Sequence, residues 1–399
     1  MDEVCLDELK ENRSCPHKIQ MALLADGECE VTDRDRLLSV FALQGGACIP
    51  VAPFIHVNFV RAFFGRQDVD PISDTIEVYR HFGFDIIHRN CTPAYDGIAL
   101  DGERWKAETT VEKDDRGETT TTIVHTPRGD LRQVWRLNWV SEYDAEATPV
   151  EYLIKSESDL DLMVEYQPPV GDIDTSPIRR AREELGDGGI VAPWVQGGFN
   201  HAAYFVRPPD QLMLDALTHP EFYHALMSYF VERNKAIMSQ FIAAGADVLS
   251  YAANIASGKM VSEAFFRTFV APYEKDLIDF VQAHGAHVLY HNCGCAKNLL
   301  PCYAELGMRA YESLTPPPYG DTLLEHAFEA MGPDVVLSGN IDQIEFLQKA
   351  TPQEIEARVA SVLEQARRRG NFILATTDYF HEDTPHDNVH ALADAARKA

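Results

Sequence analysis

The sequence predicts a (β/α)8 barrel of the TIM type, with an antiparallel β insertion after the second strand. Eight short apolar segments lie near residues 50, 86, 192, 249, 288, 309, 336 and 373, and sequence with helical character separates each from the next. Strands that alternate with helices favour a parallel sheet, and eight such units favour closure into a barrel. An open doubly wound sheet would show a glycine-rich phosphate loop after an early strand, and the sequence contains none.

Each predicted strand is a short apolar run bounded by glycine, proline or polar positions. These runs cover residues 49–54, 84–88, 190–195, 248–251, 286–290, 308–311, 335–337 and 372–375. Between them, apolar side chains recur at helical spacing, as they do at Phe222, Leu226, Tyr229 and Phe230. Helices are expected over 76–82, 208–217, 220–244, 262–284, 299–306, 323–331, 352–369 and 385–398.

Residues 101–148 replace this alternation with an antiparallel pattern. The runs 109–113 and 119–124 flank an Asp-Asp-Arg-Gly turn, which is typical of a β-hairpin, and a further strand is expected over 131–139. The segment is too short to bury a core of its own, so we interpret it as an insertion on the barrel. Residues 1–33 are predicted to be an N-terminal extension, and residues 34–399 the barrel domain.

The composition excludes several classes of partner. Acidic residues number 62 against 35 basic ones, which gives a net charge of −27. Such a surface repels phosphate backbones and anionic lipid, so neither nucleic acid nor a membrane is an expected partner. Because no run of about 18 apolar residues and no signal-peptide pattern are present, we expect a cytoplasmic protein. Of eight cysteines, Cys293, Cys295 and Cys302 are close in sequence, which favours metal binding over disulfides.

Polar side chains stand at the ends of several predicted strands. In a parallel barrel these positions converge at one mouth, where barrel enzymes keep their chemistry. An alternative interpretation of Asn340-Ile341-Asp342 is a cap for the following helix. The candidates for substrate contact are His56, Asn58, Gln196, Tyr251, Asn254, Tyr290 and Asn340.

The strongest chemical motif is His291-Asn292-Cys293-Gly294-Cys295, directly after the strand over 286–290. In an extended chain residues two apart share a side, so His291 and Cys293 can present nitrogen and sulfur to one ion. Such donors suit zinc. The third ligand is Cys295, Glu312 or Asp378, and three protein ligands leave an open position, as in catalytic sites. The competing interpretation is a core histidine beside a small buried thiol.

These residues resemble those of the corrinoid-dependent methyltransferases of the uroporphyrinogen decarboxylase superfamily, over roughly residues 34–398. The most diagnostic element is the His-x-Cys-Gly sequence at 291–294. Further matching segments are 36–38 with 49–51, 245–247, 256–258 with 269–273, 338–342, and Asp383-Thr384-Pro385 with Asn388. In that branch a third ligand, usually cysteine, lies six residues before the Thr-Pro pair. Here that position holds Asp378, which implies a His/Cys/Asp donor set unless Cys295 takes part.

The resemblance implies a zinc enzyme that moves a methyl group between a small methylated substrate and a corrinoid. The substrate would be an ether, thioether or amine, and Asp378 or Glu312 would serve as the catalytic carboxyl group. The sequence has no Asp-x-His-x-x-Gly cobalamin motif, so the corrinoid is expected on a partner protein. A homodimer is among the expected assemblies.

The sequence allows two alternative functions. True decarboxylases of the superfamily carry an arginine-rich stretch after the first strand, and residues 53–59 contain no arginine. A decarboxylase-like lyase is therefore the second expectation. A non-catalytic barrel that binds metal or corrinoid is the third.

Overall fold

The computed structural model describes residues 32–44, 48–95, 97–98, 100 and 102–398. The predicted N-terminal extension lies almost entirely outside the described residues. Within them the chain forms an α/β fold with parallel sheets and one separate antiparallel sheet.

The strands are β1 Ile86–His88, β2 Lys106–Asp114, β3 Gly117–Thr126, β4 Gly129–Trp139, β5 Ala145–Glu151, β6 Gly189–Val191, β7 Trp194–Gln196, β8 Val248–Ala252, β9 His287–His291, β10 Ala310–Glu312, β11 Val336–Ile341 and β12 Phe372–Thr376. A six-stranded parallel sheet has the order β12-β11-β10-β9-β8-β7, and β1 pairs in parallel with β6. Neighbours in the large sheet are consecutive in the chain, as the alternating pattern predicts.

The helices are α1 Asp33–Phe41, α2 Val57–Phe64, α3 Ser73–Phe82, α4 Glu157–Tyr166, α5 Ser176–Leu185, α6 Gly198–His201, α7 Pro209–Thr218, α8 Pro220–Ala243, α9 Glu263–Phe265, α10 Ala271–Ala283, α11 Leu300–Glu305, α12 Leu324–Met331, α13 Pro352–Arg369 and α14 His386–Lys398. The continuous helix predicted over 262–284 is wrong in one respect. A π-helical turn, Phe266–Val270, separates α9 from α10 just before Pro272. Proline cannot donate the regular helical hydrogen bond, which accounts for the altered turn.

Proline also divides the strand predicted over 190–195. Its first half, β6, pairs with β1, and its second half, β7, pairs with β8. Pro193, between the two, has no N–H but accepts a hydrogen bond from the backbone of Ser250 at 3.0 Å. One extended segment thus joins the two parallel sheets.

The strand predicted over 49–54 is reduced to a single parallel bridge between Val51 and Leu374. Prolines at 50 and 53 remove two ladder donors, which explains why no longer strand forms. Val51 also accepts from the backbone N–H of Asp85 at 2.9 Å, just before β1. Closure of the eight units into a full barrel stays a prediction, and these contacts on both sides of Val51 support it.

In the interval of the predicted insertion the structure has a four-stranded antiparallel sheet, β2-β3-β4-β5. The hairpin of β2 and β3 pairs Lys106 with His125 and Asp114 with Gly117. Its last strand, β5, ends at Glu151, beyond the predicted limit of 148. The turn from β4 to β5 lies beside the chain that follows β12, as described below.

The apolar core has two parts that lie on opposite sides of the large sheet. Inward-facing residues such as Leu289, Ala310 and Ile373 form the inner cluster, to which α1 contributes Phe41. Phe41 stacks on His287, the first residue of β9, at 5.9 Å, so α1 covers the N-terminal end of the strands. The opposite, C-terminal end is left for the site. No helix in the described part of the chain is both long and apolar enough to cross a membrane.

A buried carboxyl group, Glu274 of α10, ties this helix to the outer face of the sheet. It accepts a hydrogen bond from the backbone of Phe199 at 2.9 Å and contacts the hydroxyl of Tyr251. Burial raises the pKa of Glu274 to about 7, despite these hydrogen bonds. The folded protein therefore holds this proton at pH values where the unfolded chain has lost it.

We predict that Glu274 makes the wild-type protein less stable as pH rises from about 5 to about 8. A pKa raised from 4.5 to about 7 corresponds to about 3 kcal/mol of unfolding free energy, lost over that interval. Glu274→Gln keeps a carbonyl oxygen that can accept from Tyr251 or Phe199, and it cannot ionise. Urea unfolding at several pH values should show a flatter profile for this variant, and parallel profiles would contradict the assignment.

Candidate metal centre

The site lies where three strands of the large sheet end. β9 ends at His291 and its neighbour β10 ends at Glu312, and these two residues are paired in register. Residues paired across parallel strands point to the same side, so both side chains reach the C-terminal mouth. Asp378 lies two residues past the end of β12, which is two strands from β10 and three strands from β9 in the sheet.

His291, Cys293 and Asp378 form the candidate metal centre. Their ligand atoms all lie within 4.8 Å of one another, and they are the group of three such donors found among the described residues. Nε2 of His291 is 3.8 Å from Oδ2 of Asp378. A ring nitrogen, a thiolate and a carboxylate oxygen are all accepted by zinc, so this donor set fits the metal.

Glu312 orients the histidine rather than joining that group. Its Oε1 lies 2.9 Å from Nδ1 of His291, at hydrogen-bonding distance. A carboxylate there accepts a hydrogen bond from Nδ1–H, which turns Nε2 toward Asp378. Metal-binding histidines are commonly held by such a carboxylate, and the partner strengthens the ligand.

Arg89 in turn holds Glu312. Its two terminal nitrogens donate to the two carboxylate oxygens at 2.6 Å each, in a bidentate pair. The guanidinium lies 4.6 Å from the ring centre of Phe54 and 5.4 Å from that of Trp194. Sequence reasoning missed Arg89. The available signal was a charged residue directly after a buried strand.

This arrangement determines the charges of Glu312 and His291. Burial alone would raise the pKa of Glu312, but Arg89 and His291 outweigh it and lower the pKa to about 2. Burial likewise opposes the charged form of His291, yet Cys293, Glu312 and Asp378 raise the pKa of the imidazole well above its usual value. Glu312 is therefore ionised at neutral pH, and its role as the catalytic carboxyl group stays a prediction.

Asn292, between the two local ligands, anchors the motif on the other face of the strand. Its amide nitrogen donates to the carbonyl oxygens of Ala253 at 2.8 Å and Ala256 at 3.2 Å, and to the hydroxyl of Tyr303 at 3.1 Å. The backbone carbonyl of Asn292 accepts from the hydroxyl of Tyr311 at 3.2 Å. These bonds hold the backbone that carries His291 and Cys293, and sequence reasoning had given Asn292 no role.

Cys295 is not part of the donor group. The chain bends at Gly294, whose φ of 98° is the left-handed region that favours glycine. After the bend, the carbonyl of Cys295 accepts from Gly258 at 2.7 Å, and the following backbone is tied to Asp321. Of the three candidates for the third ligand, the structure brings Asp378 to the pair.

Two predicted substrate residues, Tyr251 and Tyr290, lie on the far side of the sheet from the pocket. They stack on each other at 5.4 Å and are fully buried against the helices. Adjacent strand residues point to opposite faces, so Tyr290 must turn away when His291 turns inward. Asn340 is also turned to the helices, because its Oδ1 accepts from Arg358 of α13 at 3.0 Å.

The remaining predicted substrate contacts have the following neighbours. The ring of His56 lies 5.0 Å from that of Tyr379, the residue after Asp378, and Asn58 is hydrogen-bonded to His56 at 2.9 Å. Gln196 accepts from Asn200 at 2.7 Å, and Asn254 is exposed in the turn after β8. The helix-cap alternative for 340–342 is confirmed at Asp342, which caps the turn that follows it.

A small pocket lies against His291 and Asp378 of the donor group. Trp194 contacts the ring of His291 edge-on at 5.4 Å. The pocket is lined by Phe54, Arg89, His291, Glu312, Ala375, Thr376, Thr377 and Asp378. Among them the one side chain with a permanent positive charge, Arg89, is already paired with Glu312.

Comparison with known protein families assigns most of the chain to one family. Residues 143–399 match the family described as uroporphyrinogen decarboxylase (URO-D). This match includes every residue of the donor group and Glu312, whereas Arg89 and most of the antiparallel sheet precede it.

Three curated relatives are distantly similar in sequence. Methylcobamide:CoM methyltransferase MtbA of Methanosarcina mazei is 23% identical over 273 residues, which cover 67% of this chain and 73% of that protein. Methylated-thiol–coenzyme M methyltransferase of the same organism is 25% identical over 181 residues, 45% of this chain and 46% of the relative. Uroporphyrinogen decarboxylase of Parasynechococcus marenigrum is 26% identical over 215 residues, 52% and 57% of the two chains.

A solved methyltransferase from Methanosarcina mazei has a similar fold. It superposes with a TM-score of 0.67 at 17% identity, and the match covers 92% of this chain and 99% of that one. At this identity the likeness establishes the fold alone.

We predict that Asp378→Ala lowers zinc affinity and that Cys295→Ser does not. Loss of one of three ligands should weaken binding by about 100-fold or more, since even outer partners of a ligand typically contribute 10- to 100-fold. Competition with a chromophoric chelator measures both variants. Cys295→Ser is the matched control, and a large loss there with none at Asp378 would reverse the ligand assignment.

Proposed function

The chain belongs to the uroporphyrinogen decarboxylase (URO-D) family, and we propose that it is a zinc-dependent methyltransferase of that family. It would move a methyl group between a small methylated substrate and a corrinoid carried by a partner protein. The observation that supports this most is the convergence of His291, Cys293 and Asp378 on one point at the strand ends.

The donor set fits a zinc ion in chemistry and number. His291, Cys293 and Asp378 would hold the ion, and three protein ligands leave one position for a substrate atom. When bound, zinc supplies a Lewis acid that stabilises negative charge on a leaving sulfur or oxygen. A carboxylate in place of a second thiolate leaves the ion more electrophilic, which favours an oxygen-bearing substrate such as a methyl ether.

The protein's own residues would orient the reaction. Glu312 and Arg89 fix the imidazole of His291, and the rings of Phe54 and Trp194 pack against the Arg89 guanidinium. A corrinoid would supply the nucleophile that receives the methyl group, and the heteroatom of the substrate would keep the electron pair of the broken bond. Asp378 is the carboxyl group nearest to His291 Nε2 and the candidate for proton handling whenever it is not a ligand.

The relatives support methyl transfer over the two alternatives. Two of them are named for methyl transfer involving a methylcobamide or a methylated thiol, and the third is a decarboxylase. A decarboxylase must hold several substrate carboxylates, which calls for free cationic side chains. In the described lining of this pocket, Arg89 is engaged by Glu312, so the site is poorly suited to a polyanion.

We predict that the zinc-loaded protein transfers methyl groups to free cob(I)alamin. Methyl ethers, thioethers and methylamines would be offered in turn, and formation of methylcobalamin followed by its visible spectrum. Treatment with a chelator, or Asp378→Ala, should reduce the rate by about 100-fold or more, as expected when a metal-assisted step is lost.

Two results would contradict this function. Decarboxylation of uroporphyrinogen, without methyl transfer, would support the lyase. Tight zinc binding with no turnover over the whole panel of donors would support a binding protein.

A further inference from the structure

The turn between β4 and β5 lies at the rim of the candidate metal centre. Ser141 donates a hydrogen bond to Glu382 at 2.5 Å, and Glu382 lies four residues past Asp378. The carbonyl of Tyr143 accepts from Arg61 of α2 at 3.5 Å. Although the turn belongs to the antiparallel sheet, it is thus attached to two segments that border the mouth.

This turn presents two large apolar side chains to solvent. Trp139 is 47% exposed and the adjacent Val140 is 62% exposed. Single exposed apolar residues are common, but a tryptophan and a valine in sequence beside a buried site are a suitable anchor for another protein. The backbone beneath them is ordered, because the N–H groups of Val140 and Ser141 both donate to the carbonyl of Asp144.

Acidic groups lie on this turn and on the chain after β12, and Arg116, an exposed basic residue, is hydrogen-bonded through its carbonyl to the backbone of Trp139. Glu142 and Glu146 are exposed on the turn and the start of β5, and Asp383 is exposed on the chain that follows β12. The charge of Asp144 also acts on His56 and on Tyr379, next to Asp378. The turn therefore combines an apolar spot with several acidic neighbours, consistent with the net charge of −27.

We propose that the 139–146 segment is the docking surface for the protein that carries the corrinoid. This inference rests on the proposed function. His291 is buried below the mouth, so the methyl group can reach cobalt only if the carrier seats over the strand ends. A carrier in that position meets the β4–β5 turn, and its matching face should offer an apolar contact bordered by lysine or arginine.

A comparison of two methyl acceptors tests this proposal. The full-length protein would be assayed with free cob(I)alamin and with a recombinant corrinoid protein from the source organism, reconstituted with cobalamin. For Trp139→Ser/Val140→Ser we expect at least a tenfold higher KM for the corrinoid protein and an unchanged rate with free cob(I)alamin. Glu142→Lys should raise the same KM, and the wild-type KM should rise with salt because charge attraction is screened.

Val164→Ser provides the matched control. Val164 is 61% exposed on α4, which contacts the opposite end of the same sheet through the Arg128–Glu165 ion pair. A KM as high in this control as in the double variant, or an unchanged KM in the double variant, would overturn the docking surface. So would an equal loss with both acceptors, which would assign the turn to the pocket itself. Absence of transfer by the wild-type protein to free cob(I)alamin would instead contradict the proposed function.

Discussion

The buried chain Arg89–Glu312–His291 is the interaction on which the site depends. It places an ion pair in the interior, where each charge loses several kcal/mol of hydration and is stable only with full hydrogen bonding. The bidentate geometry and the rings of Phe54 and Trp194 meet that demand. Glu312 therefore has one orientation, and the imidazole that it holds presents Nε2 to the mouth. Removal of Arg89 would leave a buried carboxylate unpaired, with a cost of roughly 3–5 kcal/mol.

The opposite face of β9 also holds the strand in place, through hydrogen bonds and packing. Asn292 and the stacked tyrosines fill the layer between strands and helices, and Glu274 joins that layer to α10. Strand alternation makes this division unavoidable: a motif that turns His291 inward turns its neighbours outward. The ligands are thus held from within by charge and from behind by a packed polar network.

The same alternation explains what sequence reasoning could and could not predict. Apolar runs separated by helical sequence were sufficient for the parallel α/β fold, and strand-end positions brought Asp378 to His291 and Cys293. Tyr251 and Tyr290 were proposed as substrate contacts because they precede strand ends, without regard to the face on which they lie. Arg89 and Glu274 act through partners 223 and 23 residues away in sequence, at Glu312 and Tyr251, so no local pattern reveals these pairings. Proline at 50, 53 and 193 shortened or divided strands that hydrophobicity alone predicted as continuous.

The central claim is a single-sulfur metal centre in which a carboxylate replaces a second thiolate. X-ray absorption at the zinc edge of the zinc-loaded protein tests it most directly, because sulfur and nitrogen or oxygen ligands differ in distance, at about 2.3 Å against about 2.0–2.2 Å. We predict one sulfur scatterer, which disappears in Cys293→Ser and persists in Cys295→Ser. Two sulfur scatterers in the wild-type protein, with one lost in Cys295→Ser, would contradict it and make Cys295 the third ligand.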